Sequence, residues 1–498
     1  MNDWANRGQR TADYDLLLDL PAARLAAGGG ARSGLEHALR EAVRDGRLPP
    51  GTRLPSSRVL AGDLGLARNT VADAYAQLVA EGWLTARQGS GTTVAPRPDA
   101  AAPPPRPRRR TPSTAPGPAA SAELVPDETA GLPYTLWPGS PDLASFPRAA
   151  WGAAARRALA AAPNSAFGYT DPRGRPELRA ALAAYLARVR GVRTDPEHLL
   201  ICTGFVQATG LLARVLYGRG ARRIAVEEVG FPDTRTLLRT AGLETVPLPV
   251  DEDGARVELL DGGPQGRGTS AVLLTPAHQF PNGVRLSPGR RTAVTAWARA
   301  TGGLIVEDDY DGEFRYDRQP VGALQGLAPD HVVYAGTASK SLAPGLRLAW
   351  LALPPHLMAE VVKQKRMADH HSPVLDQLTL AEFLVSGDYD RHVRRMRLRY
   401  RRRRDRLVAA LAERAPRVRV SGIAAGLHAV LELPPEAGPL DTVVARARSR
   451  GLALSPHPVY GGPPDAPAAL VIGYGTPPES GFGAALDLLC EVLTDTTA

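Results

Sequence analysis

One lysine and an acidic residue upstream of it have the types and the spacing for covalent chemistry. Lys340 lies in a run of small and hydroxylated residues, and Asp308 lies about thirty residues earlier, at the end of an apolar run. A lysine amine whose pKa is depressed by burial beside a cationic group becomes a nucleophile towards carbonyl groups. The pairing therefore predicts a Schiff base on Lys340, with Asp308 available to a cationic ring.

Pyridoxal phosphate (PLP) makes four demands on a protein, and this sequence has a candidate for each. PLP needs an amine for the Schiff base, an anion for its pyridinium nitrogen, donors for its phosphate and an aromatic face for its ring. Lys340 is predicted to supply the amine and Asp308 the anion. Arg347, seven residues after the lysine, and Thr337 are predicted to bind the phosphate.

Five more residues complete the predicted cofactor site. Residues 203–207 lie where a predicted strand meets a predicted helix, so the backbone N–H groups of Gly204, Phe205 and Val206 would hold the same phosphate. Phe231 is the predicted ring-stacking residue. Tyr310, two residues after Asp308, is predicted to hydrogen-bond the phenolic oxygen of the cofactor.

Apolar runs that favour strands alternate with helical patterns downstream of residue 130. The predicted strands of this region cover residues 199–202, 224–226, 271–275, 304–306 and 332–335. Such alternation predicts an α/β sheet, in which functional groups collect at the strand ends. After about residue 415, predicted strands at 417–420, 428–432 and 470–473 indicate a smaller α+β subdomain.

The composition of the chain limits its class and its partners. At 498 residues the chain exceeds one ordinary core and should form two or more domains. The net charge of +9 favours a polyanionic partner such as DNA, although an arginine-rich proteome would produce the same balance. The two cysteines form no disulfide or metal framework, and neither a signal peptide nor a membrane span is evident. These features predict a cytoplasmic protein without a metal site.

A proline-rich stretch divides the chain. Residues 96–118 contain nine prolines and a basic cluster. Such a stretch cannot bury apolar surface and is predicted to be an extended linker. We therefore predict a small N-terminal domain at residues 12–95, a linker at 96–126 and a large domain at 127–498. The linker arginines could contact DNA phosphates, but a solvated linker is the simpler interpretation.

The N-terminal domain has the pattern of a DNA-binding winged helix. Serine at 56–57 is predicted to cap a second helix that Gly65 ends. Arg68, Asn69 and Thr70 open a third helix and are predicted to be exposed, where a recognition helix presents side chains to the major groove. Two predicted strands around the turn at 88–91 form the wing. The apolar faces of the first and third helices comprise Leu35, Leu39, Ala42, Val43, Val71, Ala74, Tyr75 and Leu78.

Residues 50–94 closely resemble the winged helix of the GntR family. They follow its pattern PGxRLPSSRxLAxxLGxxRxTVxxAYxxLxxEGxLxxxxGSGTxV almost continuously. The resemblance implies double-stranded DNA as a partner. It implies phosphate contacts from Arg58 and Thr70, base contacts from Arg68 and Asn69, and entry into the minor groove by Gln88 and Gly89.

From about residue 130 onwards the chain resembles fold-type I aminotransferases. The motifs that carry this resemblance lie at 137–142, 169–174, 275–283 and 334–347. Together with the GntR-type head, the chain is similar to the MocR/PdxR subfamily of transcriptional regulators. The resemblance implies a PLP-binding α/β domain with a small α+β subdomain, and a head-to-tail homodimer. In such dimers, Tyr169 would reach the phosphate of the cofactor in the partner subunit.

Two departures from the aminotransferase pattern bear on activity. Residues 280–283 read Phe-Pro-Asn-Gly where aminotransferases have Asn-Pro-x-Gly, so His278 or Gln279 would have to contact the phenolic oxygen instead. Val471 occupies the position of an arginine that binds substrate carboxylates in relatives. Without that bidentate anchor, general transamination is disfavoured.

The segment at 391–406 is dense in arginine, with four in succession from Arg401 to Arg404. It could dock on DNA or on the winged helix. A solvated helix with ion pairs is the simpler interpretation.

Three functions are compatible with these patterns. We expect a DNA-binding transcriptional regulator that binds PLP at Lys340 and uses PLP, alone or with an amine or amino acid, as its effector. By family resemblance, its targets would lie in vitamin B6 or amine metabolism, and catalytic turnover is not expected. An aminotransferase that carries a DNA-binding domain is the alternative. A plain DNA-binding factor with a degenerate scaffold is disfavoured by the intact lysine, aspartate and arginine.

Overall fold

The computed structural model describes residues 30–44, 47–80, 83–87, 91–95, 131–316, 322–422, 425–463 and 466–497. The chain divides into two compact units, Met1–Pro116 and Gly117–Ala498. The predicted linker at 96–126 lies outside the described residues, so the predicted domain boundaries stay predictions. Within the described ranges, no helix has both the length and the apolar character needed to cross a membrane.

The described part of the N-terminal unit comprises three helices and a two-stranded wing. Its elements are α1 (Gly30–Arg44), α2 (Ser57–Leu64), α3 (Arg68–Ala80), β1 (Leu84–Arg87) and β2 (Gly91–Val94). As predicted, Ser56 caps α2, because its hydroxyl accepts a hydrogen bond from the Val59 N–H at 3.3 Å. Gly65 ends the helix in the left-handed region at φ 65°. The strands pair antiparallel, with Leu84 opposite Val94.

One apolar core joins these helices to the wing. The predicted helical faces are buried in it, with Leu35, Leu39, Val71 and Ala74 no more than 1% exposed. Leu84 and Val94 of the wing belong to the same core. The helical spacing of apolar residues therefore identified the buried faces of α1 and α3 correctly.

A seven-stranded mixed sheet forms the centre of the second unit. The strand order is β4-β12-β11-β10-β9-β5-β6. All neighbours are parallel except for β12, which runs antiparallel to both β11 and β4. The strands are β4 (Leu199–Cys202), β5 (Arg223–Glu227), β6 (Glu244–Leu248), β9 (Thr269–Leu274), β10 (Leu304–Asp309), β11 (Val332–Thr337) and β12 (Ala349–Ala352).

Helices flank this sheet, and short strands lie outside it. The helices are α4 (Arg148–Ala161), α5 (Pro176–Arg190), α6 (Phe205–Gly218), α7 (Pro232–Thr240), α8 (Pro288–Thr301), α9 (Pro355–Asp369) and α10 (Val374–Val385). The outlying strands are β3 (Tyr134–Thr135), β7 (Val250–Asp251) and β8 (Gly254–Ala255). Three apolar clusters contain side chains from both the strands and the helices, so the helices pack against the sheet. This layering is expected for an α/β domain.

The smaller α+β subdomain follows the long helix α11 (Asp388–Arg414). Its elements are β13 (Arg419–Ser421), β14 (Ala429–Glu432), α12 (Leu440–Ser449), β15 (Leu452–Ala453), β16 (Ser455–Pro456), β17 (Ala469–Ile472) and α13 (Glu479–Thr497). Its sheet is antiparallel and has the strand order β13-β14-β17-β16. The predicted α/β sheet with a small α+β subdomain is confirmed.

The sequence patterns did not predict two strands of the central sheet. β6 lies at the edge of the sheet and contains Pro247, a residue that sheets tolerate at their edges and that weakens a strand pattern. β12 is a run of four buried residues, Ala349–Ala352, without alternation. Periodicity cannot separate such a short apolar run from a piece of buried helix.

Candidate functional site

Lys340 lies three residues beyond the carboxyl end of β11. Its side chain is half-buried, and its Nζ donates a hydrogen bond to the backbone oxygen of Gly139. Burial lowers the pKa of the amine, while the negative charges of Asp308 and Asp311 oppose that change. An amine with a lowered pKa is unprotonated, and hence nucleophilic, at a lower pH than an exposed lysine.

Asp308 and Asp309 are adjacent on β10 but have different environments. Asp309 accepts hydrogen bonds from Arg190 at 2.6 Å and from Tyr334 at 2.7 Å. Side chains alternate along a strand, so Asp308 points to the opposite face of the sheet. Burial and the charge of Asp309 raise the pKa of Asp308 well above its usual range, and Lys340 lowers it. Of the two acids, Asp308 is therefore the one that would gain from a cationic partner.

The residues predicted to bind a phosphate converge at the start of α6. Gly204 caps this helix at φ 103°, and a Cβ placed on it would lie 2.3 Å from Nη2 of Arg347. Arg347 is exposed and donates from Nη2 to the Thr203 backbone oxygen at 2.7 Å. Phe205 and Val206 form the first turn, where backbone N–H groups lack helical acceptors. This cradle can hold an anion and requires glycine at position 204.

Thr337 is buried at the end of β11, and its hydroxyl is engaged within the lysine loop. It lies 2.8 Å from Oγ of Ser339 and 3.2 Å from the Leu348 backbone oxygen. Ser339 is half-buried beside Lys340 and was not among the predicted site residues. A hydroxyl directly before the lysine was the signal that could have identified it.

Tyr310 belongs to a buried hydrogen-bonded group with His278 and Asp311. The Tyr310 hydroxyl lies 3.1 Å from Nδ1 of His278, which lies 2.8 Å from Oδ2 of Asp311. Gln279 instead donates to the backbone oxygens of Val229, at 3.0 Å, and Phe280, at 2.6 Å. Of the two residues proposed to replace the missing asparagine, His278 is therefore the one beside Tyr310. No local sequence pattern pairs His278 with Asp311.

Two aromatic residues of the predicted site are exposed. Phe231 caps α7 with 43% of its surface accessible, and Tyr169 is 88% accessible. The Tyr169 ring contacts that of His370, with the centroids 5.0 Å apart. Both rings are therefore accessible from the solvent.

In the N-terminal unit, the predicted DNA-contacting residues that the structure describes lie in the first turns of α2 and α3. Arg58, in the first turn of α2, is exposed, as are Arg68 and Asn69 at the start of α3. Thr70, which was predicted to be exposed, is half-buried. Gln88 and Gly89 lie outside the described residues.

Comparisons with known proteins agree with both units. The model for gntR-family bacterial regulatory proteins matches residues 31–94, and that for class I and II aminotransferases matches residues 139–457. The chain is 34% identical to the pyridoxine biosynthesis transcriptional regulator PdxR of Corynebacterium glutamicum, over 89% of this chain and 91% of that protein. It is 35% identical to the probable rhizopine catabolism regulatory protein MocR of Rhizobium meliloti, over 74% and 75%. The chain belongs to the MocR/PdxR family of transcriptional regulators.

A solved structure supports the fold of the large unit in this MocR/PdxR-family regulator. An archaeal alanine:glyoxylate aminotransferase is 27% identical, with a TM-score of 0.66, and the match covers 73% of this chain and 91% of that one. The regulator thus joins a DNA-binding winged helix to a domain of the aminotransferase fold.

Val471 lies in an apolar environment in this regulator. It is fully buried on β17 in a cluster with Val430, Tyr460 and Ala469, against which Phe280 packs. The Phe280 ring also contacts that of Tyr310, at a centroid distance of 6.1 Å. At this position the regulator therefore offers no cation for a carboxylate.

Helix α11 anchors the lysine loop of the regulator. Tyr389 donates to Oγ of Ser341 at 2.8 Å, and Nε2 of His392 lies 2.9 Å from the Ser341 backbone oxygen. Arg395 donates to Nδ1 of His392 at 3.0 Å, so the imidazole proton is on Nε2 and is donated to Ser341. Burial lowers the pKa of His392 to about 4, which keeps this imidazole neutral.

The same helix also anchors the segment that meets Lys340 from the other side. Asp142, three residues after Gly139, accepts a hydrogen bond from the buried Arg403 at 3.0 Å. The Asp142 N–H donates to the Tyr400 hydroxyl at 3.0 Å. Residues on α11 therefore fix two of the segments that enclose the lysine.

Proposed function

We propose that this regulator binds PLP covalently through Lys340 and that PLP, alone or as an adduct with an amine or amino acid, alters its binding to DNA. When bound, PLP would supply an electrophilic carbonyl and a cationic ring. Lys340 would provide the amine, Asp308 would pair with the ring nitrogen, and Arg347 would bind the phosphate. Phe231 would cover the ring.

The placement of Lys340 is the observation that carries the proposal. The chain has only three lysines, Lys340, Lys363 and Lys365. Lys365 is fully buried and held by Asp369 at 2.7 Å and Ser372 at 2.8 Å, and Lys363 is exposed on α9. Lys340 is the lysine that lies near the carboxyl ends of the central strands, as do the half-buried Asp308 and the anion cradle of Gly204 and Arg347.

The remaining contacts would orient the cofactor. Tyr310, supported by His278 and Asp311, would donate to the phenolic oxygen. Thr337 and Ser339 would add hydroxyl groups near the phosphate, and the N–H groups of residues 204–206 would complete its shell. We further propose a head-to-tail homodimer, in which the exposed Tyr169 of each subunit reaches the phosphate bound by its partner.

The proposal about the regulated genes rests on the relatives alone. Because the relative from Corynebacterium glutamicum is named for pyridoxine biosynthesis, vitamin B6 genes are the first proposed targets, with amine or amino-acid metabolism second. A role on chromosomal DNA would place the protein in the cytoplasm.

Borohydride reduction in the presence of PLP, followed by peptide mapping, tests the covalent site. We expect the label on the peptide that contains Lys340, its loss in Lys340→Ala and its retention in Lys363→Ala. A label that persists in Lys340→Ala contradicts the site. The operator affinity measured with and without PLP tests the proposed effect of PLP on DNA binding. Equal affinities would contradict a sensor function.

A working aminotransferase that carries a DNA-binding domain is the alternative function. It would use the same lysine, and the presence of candidate residues for the amine, the ring nitrogen and the phosphate favours it. The apolar surroundings of Val471 disfavour it, because an amino-acid substrate would lack its carboxylate anchor there. Multiple turnovers with an amino donor and a keto acid would support the enzyme over the sensor.

A further inference from the structure

The outer face of α11 carries a row of exposed arginines that the proposed function does not use. Arg391, Arg394, Arg395, Arg401 and Arg402 are all exposed. We refer to these five residues as the arginine stripe. In a helix, residues three, four, seven and eleven positions apart share a face, so the five side chains project from one side. Leu398, which is also exposed, lies between these arginines. The opposite face of α11 is buried.

The stripe is rigidly supported. On the buried side of α11, Met396, Tyr400 and Leu407 are no more than 2% exposed and belong to the core of the small subdomain. Arg391 and Arg402, the two ends of the stripe, are eleven residues apart, which at 1.5 Å per residue is about 16 Å. The charges are therefore presented along one helix that is packed on a core.

Few acids neutralise the stripe. Arg391 pairs with Asp388 at 2.6 Å, and Arg401 pairs more distantly with Asp405 at 3.8 Å. Arg395 donates to His392, which burial keeps neutral, so that contact removes no charge. Arg402 donates to a backbone oxygen, that of Leu398, at 3.3 Å.

The neighbouring acids are engaged elsewhere. Asp390 at the start of α11 pairs with Arg188 of α5 at 2.7 Å, and Glu382 of α10 pairs with Arg157 at 2.6 Å. Exposed ion pairs contribute little free energy, so a polyanion can replace them at small cost. The described surface around the stripe is thus strongly positive.

We propose that the arginine stripe binds the phosphate backbone of double-stranded DNA, in addition to the contact made by the winged helix. DNA carries one negative charge per ~1.7 Å of its axis, so several phosphates fall within the ~16 Å of the stripe. Guanidinium groups bind phosphate oxygens in a bidentate manner. The contact is expected to be independent of base sequence, because phosphate oxygens carry no direct information about the bases.

The chain itself brings DNA to the stripe. Its GntR-type head binds DNA, and both units belong to one polypeptide, so the large unit is held at high effective concentration near the duplex. This inference rests on the DNA-binding family and is independent of PLP. It replaces the interpretation of α11 as a merely solvated helix.

Salt dependence of binding to a random-sequence DNA duplex tests the stripe in the full-length protein. The stripe variant is Arg391→Gln, Arg394→Gln, Arg395→Gln and Arg402→Gln combined. The matched control is Arg239→Gln, Arg267→Gln, Arg285→Gln and Arg417→Gln combined, which removes the same charge from scattered exposed arginines. A third variant replaces the four stripe arginines by lysine and keeps their charge.

Each phosphate contact contributes about 0.9 to the slope of log K against log salt concentration. We expect the stripe variant to lower the slope by about 3 to 4, the control to lower it by less than about 1, and the lysine variant to keep most of it. Equal slopes for the stripe variant and the control would overturn the proposal. If the fourfold variant does not fold, Arg394→Gln with Arg395→Gln carries the test, with an expected decrease of about 2.

Discussion

Asp308 is a half-buried acid, and its preferred protonation state depends on what binds beside it. Burial raises its pKa well above the usual range, so a cationic ring nitrogen would stabilise its ionised form. We predict that Asp308→Asn weakens PLP binding by about 10- to 100-fold, because a charge-assisted hydrogen bond is lost. Spectral titration with PLP measures this change. The exposed Asp253→Asn is the control, and equal affinity in both variants would argue against the pairing.

Individual site residues can be predicted from the sequence where they come from one segment of the chain. Lys340, Thr337 and Arg347 lie within eleven residues, so their spacing alone placed them in one loop. The grouping of Tyr310 with His278 was harder to predict, because these residues come from different segments, 32 positions apart, that only the sheet brings together. The burial of Val471 depends on packing between β14, β16 and β17, which no local pattern describes.

Helix α3 is the element that would read DNA sequence. Arg68 and Asn69 are exposed in its first turn, while Val71 and Ala74 fix the helix on the core. We predict that Arg68→Gln costs about 1–3 kcal/mol of operator binding and relaxes the preference at one base pair. Arg58→Gln should weaken all sequences equally. Selection of bound sequences from a random pool separates the two effects, with the exposed Arg47→Gln as the control.

We expect the buried His392 on helix α11 to make the folding stability depend on pH. In the unfolded chain this histidine titrates near its ordinary value of 6.5, whereas in the folded protein burial lowers its pKa to about 4. As the pH falls through this window, the unfolded state gains a proton that the folded state excludes, so stability decreases. We predict that wild type loses up to roughly 3 kcal/mol more than His392→Gln between these two pH values.

Thermal or urea unfolding at several pH values measures that difference. His392→Gln keeps an N–H donor for the Ser341 oxygen, and His198→Gln, at a position one-third exposed, serves as the control. Parallel stability profiles for wild type and His392→Gln would show that this imidazole does not contribute.

The sequence best predicted helices with a clear apolar period and strands made of uninterrupted runs of large aliphatic residues. The apolar faces of α1 and α3 agree with the structure, and the predicted strands at 199–202 and 304–306 overlap β4 and β10. The edge strand β6 and the antiparallel β12 were not predicted, because strand position and direction depend on neighbours that are distant in sequence.

For the whole molecule, the proposed dimer predicts complementation between two defective subunits. Tyr169→Phe should weaken PLP binding, and Lys340→Ala should abolish covalent binding. A mixed dimer of the two variants would contain one site with an intact lysine and the partner's Tyr169. We expect co-refolded mixtures to recover tight covalent binding in part of the population, as measured by trapping at low PLP concentration. If mixing recovers nothing, Tyr169 does not act across subunits.

The near absence of lysine has a consequence for modification of this regulator. Its positive surface consists of arginine, and of its three amine side chains only Lys363 is freely exposed. Enzymes that acylate lysine therefore cannot switch off DNA affinity by neutralising charge, as they can on lysine-rich DNA-binding surfaces. Promoter occupancy would then be controlled by a small molecule bound at Lys340. The guanidinium groups keep their charge at every physiological pH.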